Sequence, residues 1–122
     1  MDIKKILSGL FFLASSIITI FFFWNEITIP LSILAILIIL KHKFLPIKRE
    51  TTWFLFTSFF GALGEILIIF GGAWYYYPKA QFLNIPIWLP LLWGLTATTL
   101  ITLYEGISSK KKEQSKYIPE SL

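Results

Sequence analysis

The fold is decided by residues 61–93. They read Gly61-Ala62-Leu63-Gly64-Glu65, an apolar run, Gly71-Gly72-Ala73-Trp74-Tyr75-Tyr76-Tyr77-Pro78, and then Ile85-Pro86-Ile87-Trp88-Leu89-Pro90-Leu91-Leu92-Trp93. One acid sits inside an apolar segment, a cluster of aromatics follows, and prolines punctuate the entry into a second apolar segment. A long apolar run that ends in Trp and Tyr reads as a span leaving lipid at the membrane–water interface, where amphipathic rings settle.

The composition agrees with that reading. The chain has 122 residues, 56% of them hydrophobic, with a mean hydropathy of +0.71. Soluble domains run nearer about 45–50% apolar, and a soluble unit this small buries too little surface to hide the excess. Lipid must take it. The length allows one membrane domain, residues 1–107, followed by a polar Lys-rich tail, residues 108–122. The net charge of +4 does not point to nucleic acid, because the cations lie in short clusters between apolar runs, as in cytoplasmic loops. The absence of cysteine excludes disulfides and thiolate metal sites.

Working outward gives an all-α bundle of four transmembrane helices, at about residues 6–24, 29–44, 53–72 and 87–105. A span needs about 20 apolar residues at 1.5 Å each. The first run is too long for the apolar core of a signal peptide and no small-residue cleavage site follows, so it reads as an uncleaved anchor. Ser8, Phe12, Ser15, Ser16 and Thr19 share one side of it, a stripe that suits helix–helix contact. Thr28 and Pro30 suit the start of the second run, which is short, with Lys41 and Lys43 expected to snorkel to the headgroups. Its surface is Leu and Ile nearly all round, which places it at the lipid-facing edge. Thr51 or Thr52 is the expected cap of the third helix. On that helix Thr57, Ser58, Gly61, Gly64, Glu65, Ile68 and Gly72 fall on a small-residue seam opposite a face of Leu, Ile and Phe. On the fourth, Gly94, Thr98, Thr102 and Glu105 recur at helical spacing. With four spans, both termini and the basic loop at 41–50 share one side, and Lys79 is the one cation on the other. The positive-inside rule then puts both termini in the cytoplasm of a cell (inner) membrane protein.

Glu65 is the sharpest candidate. A charged side chain at mid-bilayer costs roughly 2.5–3.5 kcal/mol on insertion scales, so it needs a partner, a proton or a path to water. Counting depth along the helices brings Ser15, Ser16, Trp93 and Thr98 to its level as a polar cluster between the first, third and fourth spans. Trp74, Tyr75, Tyr76 and Tyr77 form an interface aromatic loop. His42, the one histidine, reads as a solvated loop residue, since metal sites need several convergent ligands. No metal cluster, phosphate-binding loop or nucleophile–His–acid set appears, so no metal and no cofactor is expected. The expected partner is the lipid bilayer, a homo-oligomer is allowed, and the small-molecule or lipid ligand stays open.

Glu65, Gly72, Trp74, Tyr76, Pro86, Trp88, Leu89, Leu92 and Trp93 together resemble a pattern of uncharacterised small polytopic inner-membrane proteins: an acid, a Gly-aromatic-Tyr loop and a Pro-x-Trp-Leu re-entry. The same stretch is faintly similar to part of the hydratase-type membrane proteins of carotenoid biosynthesis. Those proteins are longer, and their further acidic residues have no counterpart here. Three functions are therefore carried forward: a multi-pass membrane protein that packs or binds within the bilayer, a subunit of a proton-coupled small-molecule transporter, and a membrane enzyme on lipid or isoprenoid substrates.

Overall fold

The computed structural model describes residues 1–72 and 85–109. Among the described residues the chain is all-helical, with four helices and no strand: α1 (Ile3–Phe23), α2 (Thr28–Phe44), α3 (Glu50–Phe70) and α4 (Leu89–Ile107). The expected tail from residue 110 and the loop of Trp74, Tyr75, Tyr76 and Tyr77 lie outside the described residues.

Local chemistry sets the helix ends. Asp2 caps α1, its carboxylate accepting from the Lys5 N–H at 3.1 Å, which satisfies a donor the first turn would otherwise leave open. Pro30 lies in the first turn of α2, where its missing N–H costs least. The third helix starts at Glu50, before the expected threonine caps. Arg49 precedes it in the left-handed region, at φ 56, and supplies no side-chain cap. The helix ends at Phe70 and hands over through Gly72 at φ 82, a conformation glycine adopts without a Cβ clash. The fourth begins two residues later than expected, with Pro90 in its first turn, and runs on to Ile107.

The helices run up and down in turn. The Asp2 N–H donates to the Gly106 carbonyl at 2.9 Å, so the start of α1 meets the end of α4. Gly61 of α3 lies beneath the Trp93 ring of α4, again antiparallel. Helix α4 packs against α3, α1 and α2, and α1 also packs on α2. The second helix is thus not the lipid-facing edge: it buries Pro30, Leu34, Leu37 and Lys41, one residue per turn. The outlying helix is α3, which leans on α4 and buries only Glu50, Ala62 and Glu65.

Polar side chains share the interior with an apolar cluster that includes Phe12, Leu34, Leu37, Leu89 and Leu95, while much of the outer surface is apolar. The buried face of α4 carries Thr98, Thr99 and Thr102, each at most 1% exposed. Two of those hydroxyls bond their own helix, Thr98 donating to the Gly94 carbonyl at 3.0 Å and Thr102 to the Thr98 carbonyl at 3.1 Å. By contrast, α1 and α3 are each 21 residues long and apolar enough to cross a membrane, and only 22% and 17% of their apolar windows are buried. At 1.5 Å per residue each is about 31 Å long, the thickness of a bilayer's hydrocarbon core. The apolar core helix of a soluble protein is mostly buried, whereas Phe11, Phe21, Phe22, Phe59 and Phe70 here are all more than 60% exposed.

Glycine sets the approach of α3 to α4. A Cβ on Gly94 would fall on Ser58 Oγ and within 2.6 Å of the Phe54 ring; one on Gly61 would fall within 2.8 Å of Trp93 Cε3. Gly64 lies on the same stretch of α3, yet a Cβ there would have nothing within 4 Å. Gly94→Ala should therefore lower the melting temperature in detergent, because the Phe54 ring and the Ser58 hydroxyl would have to move out of an already close α3–α4 contact. Gly64→Ala should leave it unchanged or raise it, since alanine gains up to about 1 kcal/mol of helix propensity over glycine. A thermal melt of the two variants beside the parent checks this; equal losses would contradict the difference in packing.

Candidate functional site

The open space beside Gly64 belongs to a cleft of about 480 Å³ between α3 and α4, lined by Phe56, Phe60, Gly61, Gly64, Glu65 and Trp93, among others. Helical spacing builds its α3 wall: Gly61, Gly64, Glu65 and Ile68 recur every three or four residues. Phe56 and Phe60, one turn apart, meet with ring centroids 4.7 Å apart. The α4 wall is the Trp93 indole, which can lie against α3 because Gly61 has no side chain. A second cleft, of about 260 Å³, is lined by Glu65, Leu89, Leu92, Trp93 and Thr96. Glu65 and Trp93 are common to both, so the carboxyl group, only 8% exposed, stands where two clefts meet.

The residues expected around Glu65 divide. Trp93 is there. Thr98 is buried on α4 but lines neither cleft, and its hydroxyl is committed to the Gly94 carbonyl. Thr96, not singled out from the sequence, takes its place in the second cleft. Ser15 and Ser16 lie on α1, which packs on α2 and α4 rather than on α3. The Ser16 hydroxyl donates to the Leu13 carbonyl at 2.8 Å, and the Ser15 carbonyl accepts from Thr19 at 2.7 Å. Trp93 lines both clefts with Glu65, whereas depth along a helix does not imply contact for α1, on the far side of α4. Gly64, expected in a close-packed seam, forms cleft wall instead.

Sequence reasoning missed a polar centre at the other end of the bundle. Lys41 does not snorkel; it is fully buried, and its ammonium lies 2.9 Å from Glu50 Oε1. The same ammonium donates to the Leu45 carbonyl at 3.0 Å, and Glu50 Oε1 accepts from the Ile47 N–H at 3.0 Å. The pair thereby satisfies backbone groups of the turn that joins α2 to α3. His42 Nδ1 lies 3.3 Å from Glu50 Oε2, so the histidine is exposed but not merely solvated. The left-handed Arg49 turns the chain just before Glu50. Nearby, Lys5 and Glu105 pair at 2.8 Å, within electrostatic reach of Lys41. Signs alternate through this cluster, which keeps each buried charge beside an opposite one. The one sequence signal was Glu50 itself, an acid at a helix start, where the macrodipole favours it. Its partner eight residues before Arg49 followed no helical or strand spacing. Among the described residues no group of three or more His, Cys, Asp or Glu side chains is placed to hold a metal.

Comparison with protein-family models, with curated proteins and with solved structures finds no match for the chain. The geometry therefore carries the functional argument alone.

Breaking the Lys41–Glu50 pair from one side should be far worse than removing it whole. Lys41→Met leaves Glu50 buried without its cation, for which losses of about 3–5 kcal/mol are typical, whereas paired apolar replacement is often near neutral. Lys41→Met with Glu50→Leu should recover much of the lost stability, though not all, because Leu45 and Ile47 lose their side-chain partners. Unfolding of the single and double variants in mixed micelles measures the recovery; a double variant no better than the single one would show that the pair is not the stabilising unit.

Proposed function

We propose that the chain is a multi-pass membrane protein of four spans, with both termini on the cytoplasmic side, that admits a small lipophilic cation into the α3–α4 cleft with Glu65 as its polar anchor. The observation that carries this is a buried carboxyl group at the junction of two clefts whose larger one is walled by Phe56, Phe60 and Trp93. Aromatic faces attract cations electrostatically, and more so away from water. A carboxylate adds the counter-charge. The volume of about 480 Å³ falls within the roughly 300–1,000 Å³ of ordinary small-molecule sites. The exposed apolar flanks of α1 and α3 support the bilayer as solvent, and α2 and α4 complete the bundle as shorter or more polar spans. The alternating ends of the four helices put the basic turn at 45–49 beside the N-terminus, as the positive-inside rule requires of a cytoplasmic face.

A second reading, a subunit of a proton-coupled transporter, is favoured by one feature. Glu65 touches both clefts, so a proton and a cation can compete for one carboxyl group reached from either side of the Trp93 indole. The enzyme reading has less support, because among the described residues neither cleft is lined by a second titratable side chain.

Tetraphenylphosphonium, a lipophilic cation, should bind the protein in nanodiscs, measured by calorimetry. Glu65→Gln should weaken binding at least tenfold, and Gly64→Leu, which fills the cleft without touching the helix contact, should do the same while preserving the melting temperature. Binding unchanged in both variants would remove the cleft from the account. For topology, reporter fusions at residues 47 and 109 should read as cytoplasmic and one at residue 25 as external. A fusion at 109 on the opposite side from 47 would exclude four spans.

A further inference from the structure

A third cleft, of about 320 Å³, lies at the opposite end of the bundle from Glu65, where α1 begins and α2 ends. Its two sides differ. Asp2, Lys4, Lys5 and Ser8 of α1 and its cap form one, and Phe44 and Pro46 are among the residues that form the other. Lys4 and Ser8 are one helical turn apart, so their ammonium and hydroxyl groups project from the same side of α1. Their neighbours are already engaged: Lys5 pairs with Glu105 at 2.8 Å, and Asp2 Oδ1 accepts from the Lys5 N–H. Lys4 has no ion pair among the described residues. The cleft thus offers a cation and a hydroxyl beside one carboxylate, facing an apolar wall.

From these groups we infer that the cleft is a site for the head of a membrane phospholipid, one whose head carries a hydrogen-bond donor of its own. The phosphodiester takes Lys4 and Ser8, the glycerol ester region lies on Phe44 and Pro46, and the second Asp2 oxygen receives a head-group hydroxyl or primary ammonium. Phosphatidylglycerol and phosphatidylethanolamine meet that description; phosphatidylcholine, with no donor on its head, does not. The inference rests on the four-span reading, which sets this end of the bundle at headgroup level, where basic pockets between helices recognise lipid heads.

Native mass spectrometry from detergent, with defined lipids added, separates the outcomes. The parent should retain phosphatidylglycerol and phosphatidylethanolamine at least fivefold better than phosphatidylcholine. Lys4→Ala and Ser8→Ala should each reduce that preference, and Lys43→Ala, an equal loss of charge outside the cleft, should not. Glycerol phosphate and inorganic phosphate should not displace the lipid at matched concentration, because neither reaches the apolar wall. Equal retention of all three lipids, an equal effect of Lys43→Ala, or displacement by free phosphate would each overturn the assignment. Flotation of the parent with phosphatidylcholine vesicles is measured alongside: failure to float sinks the membrane reading itself, whereas flotation without head-group preference sinks only this site.

Discussion

The bundle depends on a polar helix being able to sit at its centre. Helix α4 contacts all three others, and its buried face mixes threonine and glycine with Leu89 and Leu95. That arrangement works because the Thr98 and Thr102 hydroxyls return to carbonyls of their own helix, so the surface left for neighbours is methyl and methylene. Small residues then bring backbones close, and dispersion contacts replace the hydrophobic drive that lipid does not supply between helices. The satisfaction is incomplete. Ser58 Oγ and Thr99 Oγ1 are buried without a hydrogen-bond partner among the described residues, at a cost of about 1–3 kcal/mol each. A bundle assembled around α4 must therefore gain much of its stability from close contact of the kind Gly61 and Gly94 allow.

From that centre the two ends of the molecule diverge. At the end where α1 begins and α4 finishes, the short turn 45–49 joins α2 to α3, and a buried ion pair ties those two helices while a second pair ties α1 to α4. Lys41, Glu50, Lys5 and Glu105 alternate in sign, and two of them also hold turn backbone. At the other end α3 and α4 separate enough to leave two clefts around Glu65 and Trp93. Both clefts follow from one fact: among the described residues α3 has α4 as its one substantial neighbour, and they open along that single contact.

Helix number and approximate position were legible in the sequence because apolar runs of this length have few alternatives, and the stripe on α1 was legible because small and hydroxyl residues repeated at helical spacing. Phe12, Ser16 and Thr19 are buried as that spacing implies. What periodicity does not encode is which helix faces which. Ser15, Ser16 and Glu65 share a depth, yet α1 and α3 lie on different flanks of α4. The start of α3 was misread for a related reason. Threonine is a good cap in isolation, but Glu50 gains more by entering the helix, where Lys41, the Ile47 amide and the positive end of the helix dipole converge on it. Lys41 was misread because its expected route to water is closed by a carboxylate nearer than any headgroup.

Gly64 shows how far a sequence motif can be pushed. A run of small residues along a membrane helix is usually taken as a packing seam, and at Gly61 it is one. One turn on, the same residue type borders open space beside the only acid of α3 outside its first turn. Close packing cannot account for a glycine whose added Cβ would meet nothing within 4 Å, and the left-handed region cannot either, since Gly64 lies mid-helix. A larger side chain at this position would extend into the larger cleft, which Gly64 lines. The absence of a side chain here leaves the α3 wall of the larger cleft open beside Glu65.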